Sequence, residues 1–132
     1  MNRTRSIAGI VAGVLMLLSS AAHSLLGWPV MKAALAESHT PADLVLGLGI
    51  GWNFGGASIL TFACIVLWIY VRRLRDVPVP RVPAAIISVA YLVFGTGALA
   101  VSGDPFFLVF IVPGLLLAFA SFGGDAAERR TS

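Results

Sequence analysis

Between Asp43 and Arg72 the chain places no Asp, Glu, Lys or Arg. Three further stretches, 6–31, 82–103 and 105–124, share that property. Each is about 20 residues or longer, enough for a helix to cross roughly 30 Å of hydrocarbon. Only 11% of the 132 residues are charged and 58% are hydrophobic, against about 25% charged in soluble domains. A soluble domain this short could not cover so much apolar surface. In lipid every backbone N–H and C=O must be satisfied within the segment, which selects helices. The expectation is an all-α integral membrane bundle of four transmembrane helices in one domain.

Boundaries follow from capping and anchoring residues. The first helix is expected over 7–26 and to stop at Gly27-Trp28-Pro29, because the residue before Pro is pushed out of the α region. A short interfacial helix over 30–38 follows on the outer membrane surface. The second helix is expected over 41–72, with Thr40 as cap, Pro41 in the first helical position and Asp43 near the positive end of the dipole. It is too long for an upright span and should tilt, protrude or bend. Three prolines in 76–83 make an extended connector. A third helix over 84–101, a capped turn at Ser102-Gly103-Asp104-Pro105 and a fourth helix over 106–122, kinked at Pro113, complete the bundle. Gly123 and Gly124 stop it, and 124–132 reads as a mobile polar tail.

The basic start, apolar middle and small SSAA residues also fit a secretory signal cleaved after Ala22. Patterning favours retention. Gly9, Ala12, Gly13, Met16, Ser19, Ser20, His23 and Gly27 share one side of the first helix, with the bulky residues opposite. A bundle helix needs such a division. Orientation comes from the Lys and Arg residues. Arg3, Arg5, Arg72, Arg73, Arg75, Arg81, Arg129 and Arg130 fall on one side, and Lys32 alone on the other. The positive-inside rule puts both termini in the cytoplasm. The implied location is a bacterial inner membrane. The net charge of +3 is accounted for by these anchors, and no basic stripe interleaved with aromatics points to nucleic acid. Arg72, Arg73 and Arg75 are expected on anionic lipid headgroups.

Membrane helices associate through small residues and hydrogen bonds. On the second helix Gly47, Gly51, Gly55 and Ser58 form one line, a glycine zipper, and Gly49, Asn53 and Gly56 form another almost opposite. Two smooth faces make this helix the expected centre of the bundle. The zipper is expected to pack within the chain, with a homodimer or a membrane partner protein as the alternative.

His23 and Asn53 are the strongly polar side chains inside the apolar runs. A His23–Asn53 hydrogen bond between the first two helices would satisfy both. The functional alternative is a polar pocket open to the outside, lined by His23, Trp52, Asn53 and Thr96. The loop residues Glu37, His39 and Asp43 read as solvated rather than as a metal site. Lone Cys64 reads as an inert thiol. No cofactor is expected, and haem would need a second ligand beside His23. No catalytic set of side chains is discernible, so no enzyme is expected.

Four short helices, a His near the outer end of the first, and the run Trp52-Asn53-Phe54-Gly55-Gly56 look like small bacterial membrane proteins of unassigned activity. The architecture resembles the broad four-helix DoxX-like group. That resemblance implies a fold and no activity. The small multidrug exporters share size and helix count, but their membrane carboxylate has no match here. Three functions fit the sequence: a non-enzymatic scaffold, accessory subunit or hydrophobic-ligand binder; a small oligomeric transporter or channel; and an accessory to membrane redox or lipid chemistry.

Overall fold

A computed structural model describes residues 3–122. The glycines and polar tail expected at 123–132 lie outside the described residues. Helix α1 spans Arg3–Ala22, and a π-helical turn, His23–Gly27, joins it without a break to α2, Trp28–Glu37. Helix α3 spans Ala42–Leu74 and α4 spans Val82–Ser102. A 3-10 turn, Pro105–Phe107, leads into α5, Leu108–Phe122. No strand occurs among the described residues. Four helices, Arg3–Glu37, Ala42–Leu74, Val82–Ser102 and Pro105–Phe122, are long and apolar enough to cross a membrane.

The expected stop at Gly27-Trp28-Pro29 does not occur. Gly27 (φ −68°, ψ −44°) and Trp28 (φ −65°, ψ −45°) are both helical. In a regular α-helix the Pro29 ring would press on the Leu25 carbonyl and leave it without a donor. The wider i→i+5 turn moves the carbonyls relative to the ring and carries the helix through. Residues 30–38 are therefore a continuation of the first helix rather than a separate one. The cap on α3 is also different. Pro41, at φ −53° and ψ 141°, is itself the N-cap, and no side chain caps the helix. Thr40 Oγ1 is instead paired with Ser38 Oγ at 2.8 Å.

The other ends follow their local chemistry. Asp76 takes φ 59° after α3, and Val77 N–H donates to Arg72 O at 3.0 Å, closing the helix as a left-handed cap does. Arg73 Nη1 donates to Val79 O at 2.6 Å and folds the Pro-rich connector back, with Val79 buried. Gly103 closes α4 at φ 69°, a conformation open to Gly at little cost. Asp104 Oδ1 then accepts from Phe106 N–H at 2.8 Å and starts the last helix.

The packing order corrects the expected centre. Helix α1 packs against both α3 and α5, α4 packs against α5, and α3 meets α4 only slightly. The centre is α1 because its smooth side can be approached closely: Ser6, Gly9, Ala12, Gly13, Met16 and Ser20 are all buried. A Cβ at Gly9 would strike the Tyr70 ring, and one at Gly13 would lie 2.7 Å from Leu67 Cγ. Polar bonds tie the rest: Tyr70 Oη with Ser121 Oγ at 2.8 Å, and Ser88 Oγ donating to Gly114 O at 2.8 Å. Met16, Val66, Ile69, Tyr70, Ile87, Tyr91 and Leu117 fill the core between them.

This core occupies one end of the molecule. Arg5 lies over the Phe119 ring at 5.5 Å, so α5 begins at about the level of Met16. Beyond it α1–α2 and α3 continue together as a two-helix arm.

Candidate functional site

The arm is held by an antiparallel ladder of glycines, aromatics and hydrogen bonds. Ser20 Oγ donates to Gly56 O at 2.9 Å. One turn further, His23 Nε2 lies 3.1 Å from Trp52 O, and Trp52 Nε1–H donates to His23 O at 2.8 Å. A carbonyl has no proton to give, so Nε2 carries the proton and donates. The His23 and Trp52 rings stack with centroids 4.4 Å apart and planes 5° from parallel.

Glycines make room for these rings. A Cβ at Gly27 would lie 2.9 Å from Trp52 Cζ2, and one at Gly49 would lie 2.6 Å from Trp28 Cζ2. A Cβ at Gly56 would strike Ser24 Oγ. Each indole therefore rests on a glycine of the facing helix, with the two indoles 6.3 Å apart. Three cross-helix hydrogen bonds at about 0.6 kcal/mol each in lipid, with a stack of about 1 kcal/mol, hold the arm as one piece.

The expected sites divide on this geometry. His23 and Trp52 come together, but they close the seam against each other. Asn53 does not bond His23. Its Nδ2 donates to Gly49 O of its own helix at 2.8 Å. Thr96 is elsewhere, on a helix whose backbone does not approach α1 closely, and its hydroxyl donates to Leu92 O at 2.6 Å. The four residues do not form one pocket.

The zipper line is likewise corrected. Nothing lies within 4 Å of a Cβ built at Gly47 or Gly51. Ser58 Oγ donates to Phe54 O on its own helix. Only Gly55 meets another helix, at His23 Nε2. The line that packs within the chain is the opposite one, Gly49 and Gly56, because Ser20, His23, Ser24 and Trp28 face it. Of the arginines, Arg73 is engaged with Val79 O, and Arg72 lies over the Trp68 ring at 5.2 Å. Arg75 is exposed.

Asn53 lies where two open grooves meet. One, of about 420 Å³, runs past Leu17, Leu18, Ser20, Ser24, Gly56 and Leu60. The other, of about 430 Å³, runs between Trp28 and Lys32 of α2 and Val45, Leu46 and Ile50 of α3. Asn53 lines both, and its Oδ1 accepts no hydrogen bond from the described residues. Both grooves fall in the size range of small-ligand sites, about 300–1,000 Å³. Lys32, Ser24 and Trp28 were not expected here. The signal for Trp28 was its distance of one helical turn from Ser24, on the same side as His23 and Gly27. Among the described residues no three His, Cys, Asp or Glu side chains gather as a metal site.

Comparison with protein-family models, with curated proteins and with solved structures finds no match. The site is read from its own geometry.

Proposed function

We propose that this chain is a non-enzymatic bacterial inner-membrane protein that binds a hydrophobic ligand on its two-helix arm. The single observation behind this reading is the open Asn53 Oδ1 between two largely apolar grooves. A polar atom in a membrane span is costly unless it is satisfied. Here Ser20 and His23 of the neighbouring helix spend their polar groups on backbone carbonyls, and Asn53 Oδ1 is left to a ligand. The expected ligand has an apolar body and one hydrogen-bond donor. The seam between His23 and Trp52 makes the groove walls rigid, so binding loses little to reordering.

Both termini belong on the cytoplasmic side, following the eight-to-one distribution of basic residues. The arm then lies in the outer leaflet. Retention of the first segment fits its place between α3 and α5.

Ligand-dependent stability tests the reading. A ligand that binds only the folded state raises the melting temperature with concentration. Amphiphiles with an apolar body and one hydroxyl or amide should stabilise the purified protein and should fail to stabilise Asn53→Leu. Equal stabilisation of both proteins by every active compound would remove Asn53 from the site.

A further inference from the structure

The groove between α2 and α3 carries a charge pattern that narrows its occupant. Its α3 wall follows positions 42, 45, 46, 49, 50 and 53, one helix face over twelve residues, or eleven rises. At 1.5 Å per residue that face is about 16 Å long, close to the depth of one leaflet's hydrocarbon. Helix α3 itself is about 50 Å long, more than the 40–45 Å of a bilayer with its headgroups. With Arg72 and Arg75 at one surface, the Ala42 end reaches the headgroups of the other.

Lys32 stands at that end. Trp28 rests on Gly49, and the two helices run antiparallel, so the next turn of α2 brings Lys32 towards Val45 and Ala42. It is exposed and has no ion pair or hydrogen bond among the described residues. No acidic side chain lines the groove. An unpaired ammonium at headgroup height, above a mainly apolar trough of about 430 Å³, complements an anion with a single alkyl tail.

We infer that this groove holds a single-chain anionic lipid, a hydroxy fatty acid in its carboxylate form. Its carboxylate lies on Lys32, and its chain runs along Val45, Leu46 and Ile50 to Asn53, where the chain hydroxyl donates to Oδ1. This rests on the ligand-binding reading and adds the charge of the head and the number of chains. A two-chain phospholipid has twice the tail to place in a trough of about 430 Å³.

Trp28 and Trp52 supply the readout, because bromine atoms on a bound chain quench indole fluorescence. Trp68→Phe removes the remaining indole from the far end of α3. The full chain carrying this change is placed in phosphatidylcholine nanodiscs and titrated with dibromostearate or its methyl ester. The acid should quench at lower concentration than the ester. Lys32→Gln should weaken the acid about fivefold, the worth of one Lys beside an anion at a membrane surface, and leave the ester unchanged. Lys32→Arg should restore the acid. Equal quenching by acid and ester, unchanged in Lys32→Gln, overturns the anionic head while leaving a hydrophobic binder. Displacement of the acid by phosphatidylglycerol at equal concentration overturns the single chain. Val45→Phe narrows the trough. Quenching by both probes that is indifferent to it overturns occupancy of this groove, and with it the ligand-binding reading there.

Discussion

Gly49 and Gly51 are two residues apart on α3, both in mid-helix, and their fates under substitution should be opposite. A methyl group at Gly49 would lie 2.6 Å from Trp28 Cζ2, 3.0 Å from Cη2 and 3.3 Å from Cε2. Carbon atoms settle at about 3.5–4.0 Å, so the indole must move by roughly 1 Å. Trp52, 6.3 Å away and stacked on His23, limits where it can go. Overpacking of this kind costs about 1–3 kcal/mol. At Gly51 a methyl group meets nothing within 4 Å. Replacing Gly by Ala inside a helix also returns up to about 1 kcal/mol of backbone entropy. That gain is common to both positions and cancels in the comparison. Gly49→Ala should therefore be less stable than Gly51→Ala by about 1–3 kcal/mol, with Gly51→Ala at least as stable as the unsubstituted protein. Reversible unfolding in mixed micelles, followed by circular dichroism as the denaturing detergent fraction rises, measures the difference. Equal stability of the two variants, or a less stable Gly51→Ala, would refute the assignment of the packing face.

His23→Phe keeps the stack on Trp52 but loses the hydrogen bond to its carbonyl, so it should cost about 0.6 kcal/mol, and at most about 1.7. His23→Leu loses the stack as well and should cost about 1 kcal/mol more; the same unfolding assay separates them, and equal losses would show the stack to be idle. Gly103→Ala must hold a side chain at φ 69° and should destabilise the α4–α5 turn by about 1–2 kcal/mol. Proteolysis at that turn would rise with it, and unchanged protection would argue for a relaxed backbone there.

The four helices long and apolar enough to cross a membrane were legible because lipid imposes a simple rule: apolar, uncharged and long enough. The smooth side of α1 was legible for the same reason, since Gly9, Ala12, Gly13, Met16 and Ser20 are buried where their spacing placed them. Which glycine line of α3 faces a neighbour was not legible. Regular spacing marks a face that could pack, but the partner decides. Here the partner presents hydroxyl and imidazole groups that need carbonyls, and those lie beside Gly49 and Gly56. The expected His23–Asn53 pair failed for a related reason. Most side-chain hydrogen bonds go to backbone rather than to other side chains, and both residues found carbonyls. The reading of Trp28-Pro29 as a stop relied on local conformational preference alone. A single widened turn absorbs the proline, and nothing in the local sequence distinguishes a π turn from a break. The unexpected place of Lys32 in the groove wall follows from that continuity, because only an unbroken α1–α2 carries it alongside α3.

The ligand on the arm is the central claim, and gentle extraction tests it most directly. The protein and its Asn53→Leu variant are taken from membranes in polymer-bounded discs and analysed by mass spectrometry for small molecules. One compound or class should be enriched over the surrounding lipid with the unsubstituted protein, and that enrichment should vanish with the variant. A set of molecules identical for both proteins and equal to bulk lipid would contradict the account.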